Sequence, residues 1–310
     1  MIIKTIIFNI LMIMAKPLIG KGLGRLSPLR RMYKQLTKFT MPEDKKIIEV
    51  EGFLIRLGTD QKGLDGLTTI LSATHQHEPL TTTLFKKILQ PGMKVIDVGA
   101  NIGYFTLLAS TLVGQKGKVW AIEPEPNNFK NLVENVQLNQ FHSPKASFQN
   151  IITIKKAISD HNGTAKLYVS KEESGEHSLL QGRPHIKNTI DVQLTTLDNL
   201  LPPPATINLL KTDTEGNEFN ILLGAKNLIS HSPLIVIISE FWIPGIEASG
   251  HTPQQYWELL HELGLSHIYI ISEPRKLLFR GSCADAITLC KSSKFSINLV
   301  SSKHELSLEA

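Results

Sequence analysis

The run VIDVGANIGYFTLLAS at residues 95–110 puts a carboxylate, Asp97, directly before a turn built on Gly99 and Gly103. A second carboxylate, Glu123, follows one strand later in VWAIEPEP. Gly99 lets the chain turn sharply, and Gly103 is expected to let a ligand lie close to the backbone. A carboxylate at the position of Glu123 accepts hydrogen bonds from both hydroxyls of a ribose, so the two motifs together ask for a nucleoside. A dinucleotide site needs G-x-G-x-x-G to bring backbone N–H groups onto a pyrophosphate. Here Asn101 stands where the second glycine belongs, and Asp97 would repel a pyrophosphate while suiting the ammonium of an amino acid. S-adenosylmethionine has that ammonium, a ribose and no phosphate. A nicotinamide-type oxidoreductase is disfavoured on the same grounds.

A second group of acids gathers further along the chain. Asp213 and Glu215, in LLKTDTEGNE, and Glu240, in VIISEF, fall at the ends of two strand-like runs, where ligands of an open α/β sheet dock. Transfer of a methyl group from a sulfonium requires a nucleophile held in line and a proton removed at about the time of attack. A buried carboxylate or a histidine serves, and His177, in the segment SGEHSLL, is the histidine expected to fold over the pocket; Lys211 is placed to hold a carboxylate. Three acids would also suit Mg²⁺, but nothing fixes a ligand geometry, so no metal is assigned. His75 and His77 have H-x-H spacing without an identifiable third ligand and read as local hydrogen-bonders.

The elements that must position these groups alternate. Strands are predicted at 94–98, 118–122, 151–157, 207–212, 234–239 and 267–271, with 286–290 last, and helices at about 103–113, 126–139, 217–229 and 253–263. IIEVEGFLIRLG, from residue 47, reads as a hairpin-like pair. The pattern is that of an α/β, Rossmann-like, doubly wound and mostly parallel sheet. Residues 162–200, with strand-like runs at 165–169 and 189–194, form an inserted β-hairpin between the third and fourth core strands. The predicted division is a basic N-terminal extension over 1–46, a catalytic domain over 47–300 and a C-terminal tail over 301–310.

The 310 residues, 42% hydrophobic and 20% charged, rule out a largely disordered chain, and two cysteines, Cys283 and Cys290, cannot build a disulfide scaffold. The net charge of +5 is uneven. Lys4, Lys16, Lys21, Arg25, Arg30, Arg31, Lys34 and Lys38 give the first 40 residues +8 with no acid, leaving 25 − 28 = −3 on the rest. A slightly acidic body excludes a general polyanion binder. Nor does Asp213-Thr214-Glu215-Gly216 match the Pro-Pro-aromatic run that stacks a flipped base. The apolar start, MIIKTIIFNILMIMA, is shorter than the ~20 residues a membrane span needs. It lacks the small residue a signal-peptidase site would want at Ile13, so a cytoplasmic protein is expected. Ser27 as N-cap and Pro28 open a basic amphipathic helix carrying Leu29, Met32, Tyr33 and Leu36, available either to pack on the domain or to seat residues 1–40 at the inner face of a membrane.

DVGANIGYFTLLAS, AIEPEPNNFKNLVENVQLN, AISDHNGTAKLYV, TTLDNL and LLKTDTEGNEFNILLGAKNLI occur in that order. Together with HEPLTTTLFKKILQPGMKV they resemble the FkbM family of S-adenosylmethionine-dependent methyltransferases over about residues 75–240. The resemblance implies that Asp97, Gly99, Asn101 and Gly103 line the methionine part of the cofactor, that Glu123 binds the ribose, and that Ile158, Ser159 and Asp160 lie near the adenine. It also implies O-methylation of a small-molecule or glycan acceptor, such as a sugar, glycolipid or secondary metabolite, rather than nucleic acid. The family more often has a β-branched apolar residue at Thr214 and alanine at Asn217. The contrasting expectation, from another class, is a non-catalytic nucleoside-binding module held at a membrane by its basic N-terminus.

Overall fold

The computed structural model describes residues 2–15, 36–37, 39–40, 46–57, 66–142, 148–170, 175–181, 186–293 and 296–308. The expected helix from Ser27 onward lies, up to residue 35, outside them. The first helix, α1 (Ile2–Ala15), is not a loose leader, because Phe8 and Met12 are buried in the main core. It packs on α2 (Gly66–Thr74). The hairpin β1 (Ile47–Val50) and β2 (Phe53–Arg56) closes through Glu51 and Gly52, both with positive φ, as a tight two-residue turn requires. Then come α3 (Pro79–Ile88), β3 (Lys94–Val98), α4 (Tyr104–Val113), β4 (Lys118–Ile122), α5 (Pro126–His142) and β5 (Ile151–Ile154).

The expected single strand at 151–157 is split: β5 ends at Ile154, and β6 (Ala157–Ile158) joins another sheet. That sheet is the insertion, β7 (Gly163–Ser170) paired antiparallel with β8 (Ile186–Thr195), with β6 alongside. The chain continues through α6 (Leu197–Leu200), β9 (Leu209–Thr212), α7 (Glu218–Leu223), α8 (Lys226–His231), β10 (Val236–Phe241), α9 (Ile243–Ala248), α10 (Pro253–Glu262), β11 (His267–Ser272), β12 (Leu277–Arg280), α11 (Cys283–Ser293) and β13 (Ile297–Ser302).

The main sheet has the order β12-β11-β13-β10-β9-β3-β4-β5. β5, β4, β3, β9 and β10 run parallel, and β13 inserts antiparallel between β10 and β11. The order reverses between β3 and β9, so their carboxyl ends open the crevice in which ligands of such sheets bind. Helices cover both faces: α1 to α5 enclose one core with Val95, Leu209 and Ile238, and α7 to α11 enclose the other with Ile96, Leu210 and Ile237.

Three departures have local causes. The expected last strand at 286–290 is helical, within α11. Its apolar residues Ala286, Leu289 and Cys290 follow helical spacing, and Ser282 and Asp285 cap it reciprocally, with Ser282 N donating to Asp285 Oδ2 (2.8 Å) and Asp285 N to Ser282 Oγ (3.3 Å). The expected helix at 217–229 breaks into α7 and α8 at Gly224, where any Cβ would overlap the Ser159 carbonyl oxygen. The expected tail from 301 is partly fold: β13 runs to Ser302, Leu308 is buried, and the Tyr269 hydroxyl donates to the Leu306 carbonyl (3.1 Å).

Candidate active site

Parallel pairing of β3 with β9 sets Asp97 directly beside Lys211, on the face covered by α4. Both side chains are buried. Asp97 Oδ2 accepts from Thr106 Oγ1 (2.6 Å), while Oδ1 has no protein partner. Burial raises the Asp97 carboxyl above its ordinary range, against the pull of Lys211. The glycine turn that follows is locked from outside. Gly99 has φ +80, and a Cβ there would overlap the Asp213 carbonyl oxygen, so only glycine lets the turn after β3 meet the loop after β9. Gly103 has φ +98, and its missing Cβ faces Leu132 Cδ1 at 2.8 Å. The left-handed φ is what asks for glycine here, and the missing Cβ also eases the approach of α5.

Asn101 and Glu123 meet through the backbone of the turn. Asn101 N donates to Glu123 Oε2 (2.9 Å) and Glu125 N to Oε1 (2.9 Å). Each carboxylate oxygen keeps a further lone pair for a hydroxyl. Burial pushes Glu123 up to about 7, its two backbone donors opposing. Asn101 Oδ1 is buried without a partner. Asp97 and Asn101 thus each leave one orphaned acceptor oxygen in the turn, a setting that fits an ammonium donor. The turn is also tied back to α5, since Asn135 Nδ2 donates to the Ile102 carbonyl (2.8 Å).

On the other side of Lys211 lies an acidic mouth. Lys211 Nζ is 3.0 Å from Asp213 Oδ2 and 4.8 Å from the Phe105 ring centroid. Burial alone would lower the lysine, but Asp213, Asp97 and Glu78 together hold it above its usual value. Asp213 is pushed up by burial and pulled further down by Lys211, so it stays ionised. The loop after β9 is shaped by Glu218: its Oε1 accepts from Thr214 N (2.6 Å) and Thr214 Oγ1 (2.8 Å), and its Oε2 from Gly216 N (2.9 Å). Both departures from the family pattern are thereby used, because Asn217 Nδ2 also donates to the Ile158 carbonyl (2.8 Å). Glu215 takes φ +61, and its carbonyl accepts from Ser178 Oγ of the insertion (2.8 Å). Glu240 is buried with Oε2 unpartnered, and burial, then Glu215 and Asp213, hold it toward its protonated form.

His177 and the adenine-side residues are each fixed by local contacts. His177 Nδ1 accepts from Ser170 N (3.0 Å), which leaves the proton of the neutral ring on Nε2. This bond anchors the ring within the insertion. Ile158 is buried, and the Ser159 carbonyl packs on Gly224, so this turn is fastened to the junction of α7 and α8. Asp160 pairs with His161 (2.7 Å). Among the described residues no three His, Cys, Asp or Glu side chains gather as a metal site.

The structure brings to the site two residues that sequence reasoning does not place there, His77, read as a local hydrogen-bonder, and Glu78. The His77 ring lies 5.5 Å from Tyr104 and 5.7 Å from Phe105, and its charge acts on Asp213. Its carbonyl accepts from Thr82 Oγ1 (2.6 Å). Burial and Asp213 push Glu78 up to about 7. Both His75 and Glu78 adopt positive φ, a strained turn held by contacts from far along the chain. Glu273 accepts from Leu80 N and Thr81 N, and Asn298 Nδ2 donates to Glu78 Oε2 (3.1 Å). A signal was present, since an acid followed by Pro79 marks a helix start.

Comparison with known proteins finds a family and several relatives. A family model described as the methyltransferase FkbM domain matches residues 97–265. A probable cobalt-precorrin-6B C(15)-methyltransferase (decarboxylating) of Sulfurisphaera tokodaii is 28% identical over 170 residues, 51% of this chain and 84% of that protein. The hexuronic acid methyltransferase AglP of Haloferax volcanii is 28% identical over 172 residues, 55% of this chain and 62% of that protein. A crystal structure of a methyltransferase FkbM from Methylobacillus flagellatus superposes with a TM-score of 0.43 and 13% identity, covering 76% of this chain and 54% of that one. The chain spans only part of the length of each.

Proposed function

The chain belongs to the FkbM family of S-adenosylmethionine-dependent methyltransferases, and from that premise we propose that it methylates a hydroxyl oxygen of a sugar, glycolipid or secondary-metabolite acceptor. The observation that carries this reading is the Lys211–Asp213 pair beside Asp97. It sets an ionised carboxylate at the sheet's switch point, next to the group suited to the cofactor's ammonium. The similarity to a hexuronic acid methyltransferase supports an oxygen acceptor on a sugar.

S-adenosylmethionine, when bound, supplies an electrophilic methyl group on sulfur. In this reading Asp97 and Asn101 take its ammonium on their unpartnered oxygens, and Glu123 takes the ribose hydroxyls. Gly99 and Gly103 shape that pocket, with Ile158, Ser159 and Asp160 toward the adenine. Lys211 keeps Asp213 charged, so that Asp213 orients the acceptor hydroxyl by accepting its proton in a hydrogen bond. As the methyl moves, that proton leaves along its hydrogen bond to Asp213, and Glu78, pushed up to about 7, is matched to receiving it from Asp213. Glu215 and Glu240 border the far side of the mouth, and His177 fastens the insertion beside it. The basic first 40 residues seat the enzyme at the cytoplasmic face of a membrane.

The test supplies methyl-labelled S-adenosylmethionine with glucuronic acid and glucose glycosides and locates the label by mass spectrometry. Label is expected in a methyl ether. Label on nitrogen, in a peptide or a nucleobase, would overturn the oxygen assignment.

A further inference from the structure

Helix α1 has two unlike faces. Phe8 and Met12 are 3% and 7% exposed and belong to the main core, with Leu11 packed against it. Ile6, Ile10, Ile13 and Met14 are 50–70% exposed, and Ile7 is 39% exposed. At roughly 100° per residue these five side chains fall within an arc of about 120°, opposite Phe8 and Met12. Five large apolar residues sharing one outward face exceed the scattered surface hydrophobics of an ordinary domain. The inner face explains why α1 is folded onto the domain, but among the described residues nothing in the packing explains the outer one.

The charge of the same segment says what covers it. The first 40 residues hold eight Lys and Arg and no acid. Seven of the eight follow α1 within residues 16–38. A second copy of the chain docked face to face would set +8 against +8, which disfavours self-association. An anionic bilayer satisfies both features, taking the isoleucines into its acyl boundary and the cations at its headgroups. At ~1.5 Å per residue the 14 residues of α1 reach only about 21 Å, short of the ~30 Å hydrocarbon core. Among the described residues no helix is long and apolar enough to cross a membrane. A helix of this length suits a place along a bilayer surface rather than across it.

We propose that the outward face of α1, Ile6, Ile7, Ile10, Ile13 and Met14, is a docking surface for an anionic lipid bilayer. The inference rests on the reading that residues 1–40 contact a membrane and names the contact: an apolar wedge held rigid by the domain core, with electrostatics adding to insertion. The full-length protein is sedimented with vesicles of phosphatidylcholine alone and of phosphatidylcholine mixed with phosphatidylglycerol. Wild type is expected to bind the mixed vesicles and not the neutral ones. Ile10→Ser combined with Ile13→Ser is expected to lower the affinity by roughly tenfold or more, with S-adenosylmethionine binding by calorimetry unchanged, since both residues are exposed. Arg30→Glu with Arg31→Glu is expected to weaken binding in a salt-dependent way.

Equal binding by wild type and the double serine variant would overturn the α1 surface while leaving a purely electrostatic membrane contact standing. Failure of wild type to bind mixed vesicles would overturn both. A concentration-dependent dimer in gel filtration that the double serine variant abolishes would assign the face to a second copy instead.

Discussion

The two halves of the crevice are built on opposite principles. On the β3 and β4 side, from Asp97 to Glu123, polar groups are fixed by neighbouring backbone: Glu123 accepts two N–H groups, Gly99 and Ala100 N both donate to the Ile122 carbonyl, and two side-chain oxygens are left over. On the β9 and β10 side, Asp213 repels both Glu78 and Glu240, and the three proton affinities are spread apart: one buried lysine holds Asp213 down while burial raises the other two. The first side is preorganised to hold one invariant ligand. The second keeps charges in tension, which suits a place where a proton must move.

The contrast can be broken at several points. Gly99→Ala should have the largest effect, because its Cβ would strike the carbonyl that joins the two halves and because φ +80 disfavours any side chain. A loss of about 3 kcal/mol or more is expected in denaturant unfolding, together with loss of cofactor binding. Near-normal stability would show that the halves are not locked together there. Asp213→Asn should act on one half only. Turnover is expected to fall roughly 100-fold with cofactor affinity changed less than about threefold; equal losses in both would place Asp213 on the cofactor side. Thr214→Val should be mildest. It removes the hydroxyl bond to Glu218 and supplies the residue type more usual in the family, for a cost of about 1 kcal/mol and little change in turnover. A large fall in turnover would give that loop a direct part in catalysis.

These same halves were not equally legible in the sequence. Asp97, the glycine turn and Glu123 announce themselves because strand, turn and helix follow within a few residues, and parallel pairing then fixes their geometry. The local pattern at His77 and Glu78, an H-x-H spacing and an acid before Pro79, marks a helix start but not a site. Their positions depend on Glu273 and Asn298, some 190 and 220 residues away, which clamp the start of α3. The order of core strands β3, β4, β9, β10 and β11 follows from alternation of apolar runs. The run Ala286–Cys290 satisfies strand patterning equally well, and only the Ser282–Asp285 cap decides for a helix. Asn135 and Asn139, which bond the free edge of β2 to α5, read in sequence as ordinary polar helix residues.

The cofactor half makes the most direct claim, that Glu123 holds the ribose as a carboxylate. Its folded value of about 7 lies above the ordinary 4.5, so Glu123 contributes stability below about 4.5 that is lost as pH rises through about 7. Binding has the opposite sign, since ribose hydroxyls donate to the ionised form. Calorimetry of S-adenosylmethionine binding between pH 6 and pH 8, on wild type and Glu123→Gln, tests this. Wild-type affinity is predicted to rise about tenfold over that range, with Glu123→Gln weaker at pH 8 by roughly tenfold or more and nearly independent of pH. Wild-type affinity that stays flat, or a variant that binds as tightly as wild type at pH 8, would contradict it.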